Sequence, residues 1–370
     1  MSRPQTSMYN RNKLKLGIFS PNCSSGMAVT KVPERWDASW ENNLRLAQMA
    51  DAAGIEFLLP IARWKGYGGE TNFEGSTLET ITWACGLLAK TKHITVFGTV
   101  HAPLVHPIFA AKQMVTISHV SEGRFGLNIV CGWNQDEFDM FGVAQREHDT
   151  RYDYGQEWWE VVQKIWTEKE PFDYAGRFIK LRGVVGDPKP YRWRPVVMNA
   201  GSSGAGRSFA ARNCDFLFTV LIDLETGRKD VESIKATARG FGRAIDVFTT
   251  SYVVVRPTKK EAADYHDYYT NQMGDTAAVE HLMELQSLHA QSFPPDAFKK
   301  IRERFLGGHG VYPLIGTPDD VANEMARISA AGFIGTTITF VNYVKEFPYF
   351  RDEVLPRLER LGLREAFRAG

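Results

Sequence analysis

Phe125-Gly126-Leu127-Asn128-Ile129-Val130 is an apolar, β-rich run interrupted by one amide, and it leads directly into Cys131-Gly132-Trp133-Asn134-Gln135-Asp136-Glu137. The first six residues predict a strand, and the polar cluster past its end is where a parallel sheet places chemistry. Comparable runs recur at Leu14–Phe19, Phe57–Pro60, Ile94–Thr99, Val196–Ala200, Phe216–Val220, Phe248–Val255 and Thr336–Phe340. Together with Phe125–Val130 they make eight.

Between the runs lie segments of helical period. Leu46, Met49, Ala50 and Ala53 form one i, i+3, i+4, i+7 stripe, and Trp158, Val161, Val162 and Ile165 another. Alternating strands and helices imply repeated βα units, since each parallel step needs a crossover. Eight units in 370 residues predict an α/β fold of the (β/α)8 TIM-barrel type with insertions, one domain over residues 1–370.

Two stretches break the repeat. Phe172 to Pro195 carries Gly176, Gly183, Gly186, Pro188 and Pro190 and predicts a small hairpin and a loop. From Pro257 to Gly316 the chain is too long for an ordinary loop between strands seven and eight. Within it Ala263–Ser287 reads as helix, and Gly307-Gly308-His309-Gly310 as a hinge. Insertions on this face of a barrel can close over the site, so a lid is expected; an oligomer contact or a solvated helical hairpin are the alternatives.

The composition points to a small-molecule partner. Forty-four Lys and Arg stand against 43 Asp and Glu, which gives no basic field for nucleic acid. The cysteines, Cys23, Cys85, Cys131 and Cys214, show no paired motif, and none of the histidines falls in a zinc-helix spacing, so no metal site is expected. The polar stretch Met1 to Lys13 lacks a signal-peptide core, and no run approaches the ~18 apolar residues of a membrane span. A reduced, cytoplasmic setting is the expectation.

The strand ends give a short list of polar residues. Ala62-Arg63-Trp64 follows strand two; Thr99 ends strand three, with His101 beyond; Asn128 lies in strand four, with Glu137 past it. After strand five comes Gly201-Ser202-Ser203-Gly204-Ala205-Gly206-Arg207, which opens a helix. It has the chemistry of a phosphate turn but fits neither a dinucleotide fingerprint nor a Walker loop. Trp64 and Trp133 directly follow strand ends, where an aromatic wall for a planar ring or apolar substrate competes with plain packing.

His106-Pro107 with Ala111-Lys112-Gln113, and Ser121-Glu122-Gly123-Arg124-Phe125, resemble the bacterial luciferase-like flavin monooxygenases. Arg151-Tyr152 at a helix start, Gly201-Ser202-Ser203, Gly316-Thr317-Pro318 and Leu355-Pro356 extend the likeness over nearly the whole chain. Lys65-Gly66-Tyr67-Gly68-Gly69 and Gly123 to Trp133 look most like the members that open pyrimidine rings or oxidise dimethylsulfone.

The resemblance implies an enzyme, a two-component monooxygenase. It would use reduced FMN, delivered by a separate NAD(P)H-dependent flavin reductase, and O2 to oxygenate a pyrimidine-like heterocycle, amide or sulfone. By the same likeness FMN contacts fall at Ala62, Arg63, Asn128, Glu137, Arg151, Tyr152 and Ser203. Asn128, Thr99 and Leu59 would line the oxygen pocket, with Arg124 serving the fold. Trp64, Tyr67 and Trp133 are expected around the substrate, and Glu137 to orient a ribityl hydroxyl or a neighbouring arginine. A homodimer or homotetramer is implied. Two other readings remain: a deazaflavin-dependent hydride-transfer enzyme on the same barrel, and a flavin-binding protein without turnover.

Overall fold

The computed structural model describes residues 6–286 and 295–368. Its strands are β1 Lys15–Phe19, β2 Phe57–Leu59, β3 Thr95–His101, β4 Phe125–Val130, β5 Phe172–Ala175, β6 Lys180–Val184, β7 Val196–Asn199, β8 Phe216–Phe218, β9 Asp246–Val255, β10 Tyr312–Gly316 and β11 Gly335–Thr339. Strands β11, β1, β2, β3, β4, β7, β8 and β9 pair in that order, all parallel, and β9 closes the ring onto β11. These are the eight strands of the sequence reading, and they form a (β/α)8 barrel.

Strand alternation divides the core into two shells. Phe57, Leu59, Phe97, Val196, Met198, Phe216, Phe218 and Phe248 fill the barrel interior. Neighbours one residue along, such as Leu58, Val96, Leu127, Ile129 and Val197, face outward into the helical layer. There they meet Leu46 and Ala50 of one helical stripe and Trp158, Val161, Val162 and Ile165 of the other. Each stripe is the apolar face its period predicts.

Arg124 sits at the entry end of β4. Its guanidinium donates to the carbonyls of Leu88, Thr91 and Ile94, tying the end of the helix Thr80–Leu88 to the start of β3. It therefore works at the opposite end of the barrel from Asn128.

The region after β9 differs from the sequence reading. A ninth parallel strand, β10, lies inside the stretch taken as insertion. Only the first part of β9, Asp246–Phe248, pairs with β8, while Ser251–Val255 on the same edge pairs with β10. The run Tyr312-Pro313-Leu314-Ile315-Gly316 is short and carries a proline, which argues against a central strand. As β10 has a strand neighbour on one side alone, the missing N–H at Pro313 is tolerated.

The helix read over Ala263–Ser287 is several pieces. Lys259–Asp267 continues into a π-helical turn, Tyr268–Gln272, and a new helix, Thr276–Leu285, starts after the cap Asp275; Ser287 lies outside the described residues. Together with the helix Pro295–Gly308 these pieces cover the loop that follows β2: Ala278, Val279, Leu282, Met283, Phe305 and Leu306 pack on Val29, Tyr67 and Phe73. That apolar contact is not a solvated hairpin. Gly307 and Gly308 end a helix pressed against Tyr252, where an added Cβ would come within 2.7 and 2.6 Å of its side chain. Close packing therefore accounts for these two glycines.

The excursion after residue 172 is an antiparallel hairpin, β5 with β6. Among the described residues no helix is long and apolar enough to cross a membrane.

Candidate active site

Adjacent barrel strands bring Thr99 and Asn128 side by side, as register partners on β3 and β4. Asn128 Nδ2 donates to Thr99 Oγ1 at 3.2 Å, and that hydroxyl donates to the Pro60 carbonyl at 2.7 Å, beyond the end of β2. Both side chains are buried, yet Asn128 Oδ1 has no hydrogen-bond partner among the described residues. A buried amide oxygen left unpaired is costly, so this geometry leaves an acceptor ready for a ligand donor. Leu59, next to Pro60, belongs to the apolar cluster of the barrel interior.

His101, at the end of β3, is buried with Nδ1 unpartnered. Burial, with Arg63 nearby, depresses its pKa to about 3, so the ring stays neutral across the physiological range.

The loop after β2 carries a buried arginine between two acids. Arg63 Nη1 donates to Glu137 Oε1 at 2.9 Å, and Arg63 Nε lies 3.3 Å from Glu74 Oε2. Glu137 Oε1 also accepts from the Trp64 backbone N–H at 3.0 Å. Burial alone would lower the Arg63 pKa, but the carboxylates of Glu74 and Glu137 outweigh it and hold the guanidinium charged. Of the two structural roles expected for Glu137, the structure supports the one in which it orients a neighbouring arginine.

The Gly-rich turn after β7 meets the start of the helix His148–Thr167. Ser203 caps the helix Gly204–Asn213, its hydroxyl accepting from the Gly206 N–H at 3.1 Å. The Tyr152 hydroxyl fills the notch left by Gly201 and Gly206: a Cβ would sit 2.9 and 2.5 Å from it, respectively. Arg151 Nη1 holds the Gly132 carbonyl at 2.6 Å, while its Nε is buried without a partner. A helix start, a hydroxyl, a phenol and a guanidinium thus converge where an anion could be held.

Trp64 and Trp133, 42% and 41% exposed, form an aromatic rim with Phe141, whose ring meets Trp64 edge-on at 5.0 Å. Tyr67 is not part of that rim. It lies buried beneath Arg63, whose guanidinium is 4.6 Å from its ring, and its hydroxyl has no partner. Ala62, half-buried, precedes Arg63 in the same loop.

The structure therefore brings together Thr99 and Asn128, joins Arg63, Trp64 and Tyr67 with Glu137 and Trp133, and groups Arg151, Tyr152 and Ser203, while Leu59 lies in the interior apolar cluster. Sequence reading passed over Glu74 and named His309 only within a hinge, although their side chains meet 3.5 Å apart, and noted His101 without assigning it a role. Glu74 falls in an irregular loop with φ 55°, where neither period nor spacing marks it. His101 was visible as a polar residue at a strand end.

Comparison with known proteins follows the same outline. Residues 14–334 match the family described as luciferase-like monooxygenase. The chain is 30% identical to the FMNH2-dependent dimethylsulfone monooxygenase of Pseudomonas putida, over 94% of this chain and 96% of that protein. Identity to a pyrimidine monooxygenase of Acinetobacter baylyi is 26%, over 93% and 94%. The crystal structure of a long-chain alkane monooxygenase superposes with a TM-score of 0.86 at 21% identity, covering 98% of this chain and 94% of that one, a likeness of fold.

Proposed function

The chain belongs to the luciferase-like monooxygenase family, and we propose that it is an FMNH2-dependent monooxygenase that uses O2 to oxygenate a small organic molecule. The observation that carries this reading is the buried Asn128 amide, bonded to Thr99 through nitrogen and unpaired at oxygen. Such an acceptor at a barrel mouth fits the N–H edge of a flavin ring. Fit at the other end comes from the notch of Gly201 and Gly206 around the Tyr152 hydroxyl and from the unpaired Arg151 Nε.

Asn128 would hold the ring edge, with Ala62, Arg63 and Glu137 along one side. Ser203, Arg151 and Tyr152 would hold the phosphate. When bound, reduced FMN supplies two electrons to dioxygen, so that one oxygen atom enters the substrate and the other leaves as water. The protein's part is to bind, orient and keep out solvent. Thr99, its own proton committed to Pro60, fixes the Asn128 amide, and Leu59 with the apolar interior keeps water from the oxygen pocket. Neutral His101 adds no charge that would attract water.

Substrate would enter past Trp64 and Trp133 and reach toward Tyr67. The relatives named for dimethylsulfone and pyrimidine point to a sulfone or a pyrimidine-like heterocycle, and an amide is the third candidate. A separate NAD(P)H-dependent reductase would deliver the flavin in the cytoplasm to a homodimer or homotetramer of single-domain chains, with the 257–316 segment as its one large insertion.

Oxygen uptake with chemically reduced FMN, run on a panel of pyrimidines, amides and sulfones under isotopically labelled dioxygen, tests the proposal. Substrate-dependent label in the product is expected. Uptake that no substrate alters, with label only in water and peroxide, would overturn it.

A further inference from the structure

Three side chains of the insertion reach the loop after β2. Asp275 Oδ2 accepts from both the N–H and the hydroxyl of Thr71 at 2.7 Å, and His281 Nδ1 donates to the Tyr67 carbonyl at 2.8 Å. These two grip the loop from outside. The third contact reaches the ion pair itself: His309 Nδ1 faces Glu74 Oε1 at 3.5 Å.

Glu74 is fully buried, and Oε1 is the oxygen that Arg63 leaves unbonded. The arginine is one cation between two carboxylates, Glu74 and Glu137. Other titratable neighbours of Glu74 bring no positive charge. Burial, then Glu74, pushes the Cys23 thiol up to about 12, and burial keeps the phenols of Tyr67 and Tyr343 protonated. Neither that oxygen nor His309 Nδ1, 3.5 Å from it, has a hydrogen-bond partner among the described residues, so the imidazole stands where Glu74 lacks a donor.

Its surroundings hold it there. Gln286 Nε2 lies 3.5 Å from His309 Nε2, so the ring has a polar neighbour at each nitrogen. The backbone holds His309 at φ 55°, a conformation uncommon outside glycine, and the Tyr269 hydroxyl donates to the Gly307 carbonyl just before it. Tyr67 and Phe73 meet the imidazole edge-on at 5.7 and 5.9 Å.

We propose that His309 is a positioning residue of the oxygenation site: by its close approach to the unbonded oxygen of Glu74 it fixes that carboxylate, and through it Arg63, so that the insertion completes the site. This rests on the functional reading above, in which Arg63 borders the flavin. A line of polar contacts then runs from Gln286 at the surface through His309, Glu74, Arg63 and Glu137 to the Trp64 amide. The insertion acts on the chemistry through this line and on the fold through Asp275 and His281.

Fluorescence titration with FMN separates the two actions, using His309→Phe, His309→Gln and His281→Ala alongside the wild type, each with its melting temperature. His309→Phe should weaken FMN binding about tenfold, the scale of a misplaced first contact. His309→Gln restores a donor and should stay within about threefold of wild type. His281→Ala loosens the same clasp without touching the charge line, and should lower the melting temperature with a binding loss under about threefold. Wild-type affinity in His309→Phe, equal losses in His309→Phe and His281→Ala, or no rescue by Gln would each overturn the proposal.

If the wild type binds no FMN, the functional reading fails first. The line to Arg63 is then judged on melting temperatures alone: non-additive shifts in the His309→Phe, Arg63→Met double variant uphold it, and additive shifts overturn it.

Discussion

The two ends of β2 carry buried ion pairs of opposite character. Before the strand, Glu56 pairs with Arg364 at 2.8 Å and also accepts from Asn10 Nδ2, Asn12 Nδ2 and the Leu16 N–H, while Arg364 donates further to the Leu14 and Gly54 carbonyls. Both oxygens of Glu56 are bonded. Past the strand, Arg63 stands between Glu74 and Glu137, and at this end Glu74 Oε1, His309 Nδ1, Tyr67 Oη, His101 Nδ1 and Asn128 Oδ1 have no hydrogen-bond partner among the described residues. Burial is comparable at the two ends. The difference lies in completeness: a saturated network is a strut, whereas an unsaturated one gives up stability for atoms that await a ligand.

Breaking the saturated end should have the largest effect. Arg364→Ala strands a buried carboxylate and should cost about 3–5 kcal/mol in chemical denaturation. Protein that stays folded should still bind FMN, since Arg364 lies at the far end of the barrel. A loss below about 1 kcal/mol would show that the two ends do not differ as described.

At the open end the order of effects reverses. Asn128→Ala removes an amide with one bond and one unpaired oxygen, so stability should change by less than about 1 kcal/mol. Product formation should fall about a hundredfold, more than FMN affinity does. Stopped-flow turnover beside a binding titration checks this, and equal losses in the two would contradict a role for Asn128 in the oxygen pocket.

His101 sharpens the comparison through pH. Its folded pKa is about 3, below the ordinary histidine value of 6.5, so the unfolded chain takes up the proton first. The contribution is intact above pH ~6.5 and is lost progressively as pH falls toward the folded value. Between pH 7 and 5 this one group should account for about 2 kcal/mol, read as the difference between wild type and His101→Phe in parallel denaturation series. Identical pH slopes for the two proteins would refute it.

How much was legible follows from what each feature depends on. Strands such as Phe125–Val130 could be read to the residue because an apolar run between turn residues is a local signal. β10 escaped, because its proline and brevity mimic a loop and its pairing is set by the outer edge of β9. The same divide runs through the site. Asn128 and Thr99 lie toward the ends of barrel strands, Arg63 and Ser203 follow strand ends, and all four could be read from the barrel alone. Glu74 and His309 are 235 positions apart by their numbers and meet only because the insertion folds back on the β2 loop. No periodicity encodes such a meeting. Tyr67, expected around the substrate, lies buried under Arg63, a placement that the sequence of its loop does not encode.

The smallest expected effect is also the sharpest probe of incompleteness. In the free protein the Tyr67 hydroxyl is buried and unbonded, with burial pushing its pKa well above the ordinary tyrosine value. Deleting that oxygen removes a desolvated group and no hydrogen bond, so Tyr67→Phe should leave stability unchanged or raise it by up to about 1 kcal/mol. The matched deletion at the closed end, Asn12→Ala, removes a donor to Glu56 and should lower stability by about 1–2 kcal/mol. Equal losses in the two would mean that the Tyr67 hydroxyl already has a solvent partner in the free protein. Opposite signs, together with a several-fold rise in KM for Tyr67→Phe, would identify the hydroxyl as one the fold leaves unpaired for the substrate to use.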